Sequence, residues 1–161
     1  MQKKHNRRPL PLRLTPVERA VLRAKWSQQA LQAELHALLG EDVAAIASRA
    51  GALFYVVLWA CNSAELTTDD VDRRIVRGAV MALTDLDGTK AITQLQRNAV
   101  QAGLEAAGRL APRLSADAMA LASHTLYHIA RQRPVVLRDF PVVDFPAIHS
   151  NPAQKERTAA P

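Results

Sequence analysis

The chain has 161 residues, 48% hydrophobic and 22% charged, with a formal net charge of +6. That is enough for one domain with a real core and no need of staples. A lone cysteine, Cys61, excludes an internal disulfide and a multi-cysteine zinc site, and it suits a reducing, cytoplasmic setting.

The positive charge is unevenly placed. Residues 1–25 carry eight basic side chains against one acid, Glu18, a balance of +7. The remainder carries 13 basic against 14 acidic residues, a balance of −1. Residues 1–14 read as a basic, extended arm because like charges and prolines interrupt any apolar periodicity. The early Pro9, Pro11 and Arg13 take the place of the apolar stretch a secretory signal requires, so none is expected.

A first helix should start at Thr15. Thr15 is an N-cap, Pro16 suits the first helical turn, and Glu18 completes a capping box. Val21, Leu22, Trp26, Leu31, Leu35, Leu38 and Leu39 supply its apolar positions, and Gly40 suits its end. A second helix should begin at Glu41–Asp42, whose charges suit a helix N-terminus. It leads into residues 50–64, an uncharged stretch holding Phe54, Tyr55 and Trp59. Apolar side chains point all round there, so the segment should be covered on most sides. A strand over residues 53–59 is the alternative, because Phe-Tyr-Val-Val is β-prone. The apolar run of about 12 to 15 residues falls short of the ~20 a bilayer span needs, so no membrane span is expected.

Asp69 and Asp70 announce a third helix, in which Asp69–Arg73 and Asp70–Arg74 have ion-pair spacing. Val71, Ile75, Ala79, Ala82 and Leu86 form its expected buried stripe, widened by Val76, Val80 and Leu83, and Asp87–Gly88 its stop. A fourth helix, from about Thr89 to Ala111, has a mostly small apolar face: Ile92, Leu95, Ala99, Ala102, Gly103, Ala106 and Leu110. Small residues allow close approach to another helix, of this chain or of a second subunit. Ser115 caps a fifth helix with the stripe Met119, Ala122, Leu126, Ile129 and Ala130. The tail from Pro134 onward holds five of the nine prolines and the pair Asp139-Phe140-Pro141 and Asp144-Phe145-Pro146. Phenylalanines between prolines suit docking into a groove, here or on a partner.

The chemistry-bearing candidates are few. His124 and His128 have the i,i+4 spacing that grips one metal ion, yet no third ligand is signposted. Gly103 and Gly108 have phosphate-loop spacing, but Arg109 and Leu110 stand where lysine and a hydroxyl are needed. Cys61 has no neighbour that would activate it. Asp69, Asp70 and Asp72 read as helix N-terminal charges, not a metal cluster. Neither an enzyme activity nor a cofactor is expected, and no metal.

Two nine-residue fragments resemble known DNA-binding openings. Leu14-Thr15-Pro16-Val17-Glu18-Arg19-Ala20-Val21-Leu22 resembles the start of a LuxR-type helix-turn-helix, and Val43-Ala44-Ala45-Ile46-Ala47-Ser48-Arg49-Ala50-Gly51 resembles that of a TetR-type one. The turn and polar recognition helix that should follow are missing from both, so no family is assigned.

The expected architecture is all-α: about five helices bundled around a central apolar helix, with a basic arm (1–14), a helical domain (15–133) and a Pro-rich extended tail (134–161). The expected role is a non-enzymatic interaction or regulatory protein that self-associates. Tyr55, Val56, Trp59, Phe140 and Phe145 are the expected protein-interface residues. The alternative is a nucleic-acid-associated regulator holding phosphates through Lys3, Lys4, Arg7, Arg8 and Arg13. A third reading is a small-molecule or metal sensor with its pocket between the second and fifth helices.

Overall fold

A computed structural model describes residues 13–62, 64, 69–86, 88–136 and 139–140. The described residues form five α-helices and a short 3₁₀ turn, and no strand. Residues 1–12 and 141–161, with Lys3, Lys4, Arg7, Arg8 and Phe145, lie outside the described residues.

Helix α1 (Pro16–Leu39) starts as the sequence demands. The Thr15 hydroxyl accepts from the Glu18 N–H, and the Glu18 carboxylate accepts in return from the Thr15 N–H at 2.7 Å. At the other end the Gly40 N–H donates to His36 O, and a Cβ on Gly40 would lie 2.5 Å from that oxygen. Gly40 is therefore selected by close backbone approach, since its φ of −73° is open to any residue.

Helix α2 (Val43–Cys61) is capped by Asp42, whose carboxylate accepts from the Ala45 N–H. It packs against all four other helices. That contact explains a segment apolar on every side: Leu53 through Leu58, Ala60 and Cys61 are all buried. The whole helix has 19 residues, so the shorter apolar run does not exclude a span; by length and composition α2 is apolar enough to cross a membrane. Within this fold it is the covered core helix.

Helix α3 (Val71–Thr84) turns inward most of the face its spacing suggested, with one departure at its start. Val76, Ala79 and Val80 are buried, joined by Arg73, while Val71 lies in solvent. Leu86 of the expected stripe is buried as well, and Ile75, Ala82 and Leu83 are half-buried. The Arg73 guanidinium reaches Asn62 at the end of α2 at 2.7 Å. The expected pairing of Asp70 with Arg74 along the helix is replaced by pairing across to the next elements. The helix ends at Thr84, before Asp87–Gly88, and Gly88 turns the following loop at φ 73°.

Helix α4 (Gln94–Leu110) begins later than expected, at a Thr93–Gln96 capping box. Its buried face is Val100, Gly103, Leu104, Ala106, Ala107 and Leu110, whereas Leu95 is exposed. Its close neighbour is α3 of the same chain, the most extensive helix contact in the fold, so no second subunit is needed to explain Gly103. The 3₁₀ turn (Ala111–Arg113) then leads to α5 (Ala116–Gln132), where the Ser115 hydroxyl accepts from the Ala118 N–H. Met119 and Ala122 of the expected stripe are buried, but Ala130 is exposed.

Arginines tie the helix ends together. Arg97 donates to the carbonyls of Ala37 and Gly40 at the end of α1, which helix geometry leaves unpaired. Arg23 donates to Ala111 O at 2.7 Å and Leu114 O at 2.8 Å, clamping the 3₁₀ turn onto α1.

Candidate interaction surface

Helix α1 has two apolar faces. The inner one is built of Leu22, Trp26, Ala30, Ala33 and Ala37, and it packs into the core. The outer one carries the larger aliphatics. Val17, Val21, Leu31, Leu35, Leu38 and Leu39 are 73%, 47%, 58%, 48%, 54% and 79% exposed. At 100° per residue these six positions, with exposed Ala24 and Gln28, fall within one narrow stripe opposite the core. Scattered exposed aliphatics need no explanation, whereas six on one face of a single helix are a feature to account for. The sequence listed five of these residues among one apolar set with Leu22 and Trp26, and so did not separate the two faces.

The residues proposed as an interface on α2 are placed otherwise. Tyr55 and Val56 are buried, at 1% and 6% exposure, and Trp59 is half-buried against the core. The expectation of an uncovered second face on α2 fails because α5 and the start of the tail cover it. Phe140 does dock into a groove, on its own domain. Its ring meets Tyr55 edge-on with centroids 5.4 Å apart. Asp139 fixes that contact by accepting from both terminal nitrogens of Arg133, at 2.5 and 2.7 Å, and from the Val136 N–H. Burial and the Asp139 charge both push the Tyr55 hydroxyl above its ordinary pKa.

Of the basic N-terminal residues, Arg13 is described and exposed. Arg19 pairs with Asp117 at 3.3 Å, and Arg23 is committed to backbone carbonyls. Among the described N-terminal residues, the cations left for an outside anion are Arg13 and Lys25.

An acidic and basic cluster joins α3 to α4 and the 3₁₀ turn. Asp70 accepts from Arg113 at 2.6 Å and caps the Arg73 N–H, while Asp72 pairs with Arg109 at 2.9 Å. The Arg113 hydrogen bond holds the Asp70 carboxyl below the usual range. These are helix-tying pairs, and each acid has a cation beside it.

His124 and His128 face each other with Nε2 atoms 3.0 Å apart on the exposed side of α5. No group of three potential metal-binding side chains occurs among the described residues. Asp117, the nearest acid on the same helix, is occupied by the Leu14 N–H and Arg19. Cys61 is buried, and burial is the main force raising its thiol pKa.

An open cleft of about 980 Å³ lies between α2, the end of α3, α5 and the first tail residues. Its lining is largely aliphatic, with Val43, Leu83, Leu126 and Phe140 facing it. Compared with known proteins, the chain matches no protein family, no curated sequence and no solved structure.

Proposed function

We propose that this chain is a non-enzymatic interaction protein of regulatory type, a five-helix bundle with a basic arm and a Pro-rich tail. Its working surface is the outer face of α1. One observation carries the reading: six of the seven large aliphatics of α1 point away from the core, which Leu22, Trp26 and three alanines of that helix face. Folding alone would favour the opposite arrangement, because burying a leucine stabilises by ~1.5–3 kcal/mol and burying an alanine by much less. A helix that leaves a row of leucines outside is shaped for something that covers them.

The test compares immobilised full-length protein with its Leu31→Glu/Leu35→Glu variant in nuclease-treated native extract. Specific retention of a protein, including a further copy of this chain, by the wild type and its loss in the variant is the expected result. Equal retention by both, or none by either, overturns the reading.

A second reading, phosphate binding by the basic arm, draws support from the concentration of cations before residue 14. In that reading the helical body serves as a carrier, and the grip is sequence-tolerant because no aromatic is interleaved for base stacking.

A further inference from the structure

We propose that the outer face of α1 is covered by the same face of a second copy, in an antiparallel pair centred between Gln28 and Leu31. The proposal rests on the interaction reading above and names the partner. The argument starts from spacing. From Val17 to Leu38 the outer positions recur alternately four and three residues apart, a repeat of 3.5 sustained over three heptads. That period is what a second helix needs to stay in contact along its length. The flanks speak against a lipid surface. They mix Lys25 and Gln32 on one side with Ser27 and Glu34 on the other, without the basic border of a membrane-lying helix.

Area sets the overlap. The stripe is ~33 Å long and one helix wide, and stable dimers bury about 1,200–2,000 Å² in total. Nearly the whole stripe must therefore be used, which favours two copies centred on each other at a shallow crossing angle. A surface that is its own complement about a two-fold axis supplies a match of equal length and equal composition.

Charge sets the direction. Each α1 is preceded by the five arm cations and carries a positive dipole end at Pro16. Parallel pairing would gather both sets at one end, whereas antiparallel pairing separates them by ~40 Å along the axis. Charge also sets the register. Centring the pair between Gln28 and Leu31 places Val21 against Leu38 and Ala24 against Leu35, large side chains against smaller ones. Lys25 then faces Gln32 of the other copy. Moving the centre half a heptad toward the N-terminus puts Lys25 against Lys25 and leaves Leu38 uncovered.

The test uses the full-length chain. Sedimentation and light scattering across a concentration series should show a dimer that dissociates on dilution, and Leu31→Glu/Leu35→Glu should weaken self-association at least 100-fold while helix content stays unchanged. Cysteine pairing gives a second readout that does not depend on that variant folding, since Cys61 is fully buried. Val21→Cys mixed with Leu38→Cys should form a covalent heterodimer on mild oxidation, and neither variant alone should cross-link. Cross-linking of each variant with itself indicates a parallel pair and overturns the arrangement. A wild type that stays monomeric at all concentrations overturns the second copy as occupant. If that monomer still captures another protein through Leu31 and Leu35, the interaction reading stands with a different partner.

Discussion

Gly103 of α4 and Ala79 of α3 meet so closely that a Cβ added to Gly103 would lie 2.3 Å from the Ala79 Cβ. The same added atom would sit 2.8 Å from the Phe54 ring on α2. Three helices converge on one missing methyl group. Gly103→Ala should destabilise the fold by roughly 1–3 kcal/mol through overpacking, outweighing the up to ~1 kcal/mol alanine gains in a helix interior. Urea denaturation measures it, and Ala79→Gly in the same chain should recover part of the loss because the two sites share one contact. Equal or higher stability of Gly103→Ala would show that α3 and α4 separate freely.

Gly108, one turn further along α4, is the matched control. A Cβ there meets nothing within 4 Å. Gly108→Ala should therefore stabilise by up to ~1 kcal/mol through helix propensity alone. The two glycines look alike in the sequence, where both count as a cost awaiting a packing reason. Only Gly103 has one.

That contrast shows what the sequence makes legible. Thr15, Glu18, Ser115 and Asp42 mark helix starts correctly because a cap is made by atoms a few residues apart. The hub role of α2 is legible because a segment apolar on every side has to be enclosed. Helix rotation is harder. On α1 an inner set of Leu22, Trp26 and alanines interleaves with an outer set of aliphatics, and an apolar count merges the two. On α3 Arg73 is buried where Val71 is exposed, and Arg73 bonds Asn62 at the end of another helix. Arg97 reaches carbonyls about sixty positions earlier in the chain. Such contacts depend on where the helices lie, so no local pattern announces them. The candidate surface was half legible: its residues were named, but their direction was not.

Asp70 predicts an acid-sensitive contribution to stability. Its carboxylate caps α3 through the Arg73 N–H and accepts from Arg113, and its pKa in the fold lies below the ordinary value. A group depressed on folding stabilises fully above its unfolded pKa of about 3.9, and that stability is lost as pH falls through the lower folded value. Because Arg113 is substantially exposed, the ion pair adds little, and the cap dominates. Asp70→Ala should cost about 1–2 kcal/mol at neutral pH. The gap between wild type and variant should begin to narrow below about pH 4 and close as pH falls through the lower folded value. A gap that stays constant with pH would mean the carboxylate charge plays no part.

Phe140 predicts a separate effect at the other end of the fold. It lies edge-on to the otherwise enclosed Tyr55, and Phe140→Ala removes an aromatic pair of ~0.5–1.5 kcal/mol beyond the burial it loses. A total loss of about 1–2 kcal/mol is expected, less than for a core phenylalanine because Phe140 is only half-buried. The Tyr55 hydroxyl gives an independent signal. Its pKa is raised first by burial and then by Asp139, so opening the site to water should move its titration down toward the ordinary tyrosine range. Ultraviolet absorbance of the tyrosinate follows that shift. An unmoved titration would show that the tail residue does not shield Tyr55.

The basic arm makes a prediction whose magnitude separates specific gripping from a general positive field. Lys3, Lys4, Arg7, Arg8 and Arg13 are five cations, and Arg19 and Arg23 are already engaged within the fold. If the arm holds duplex DNA, each neutralised phosphate contributes about −0.9 to the slope of log affinity against log salt, so one chain should show a slope no steeper than roughly −4 to −5. Deleting residues 1–13 should remove nearly all of that slope, because the remaining chain is close to neutral. Fluorescence anisotropy with a labelled duplex, titrated at several salt concentrations, measures both numbers. The antiparallel pair adds a length signature, since its two arms start ~40 Å apart along α1, about twelve base pairs of DNA at 3.4 Å per step. A duplex shorter than that should engage one arm and show the single-chain slope, while a longer one should engage both and show about twice it. A slope that survives deletion of the arm would place the grip on the helical body, where Lys25 would be the next residue to replace.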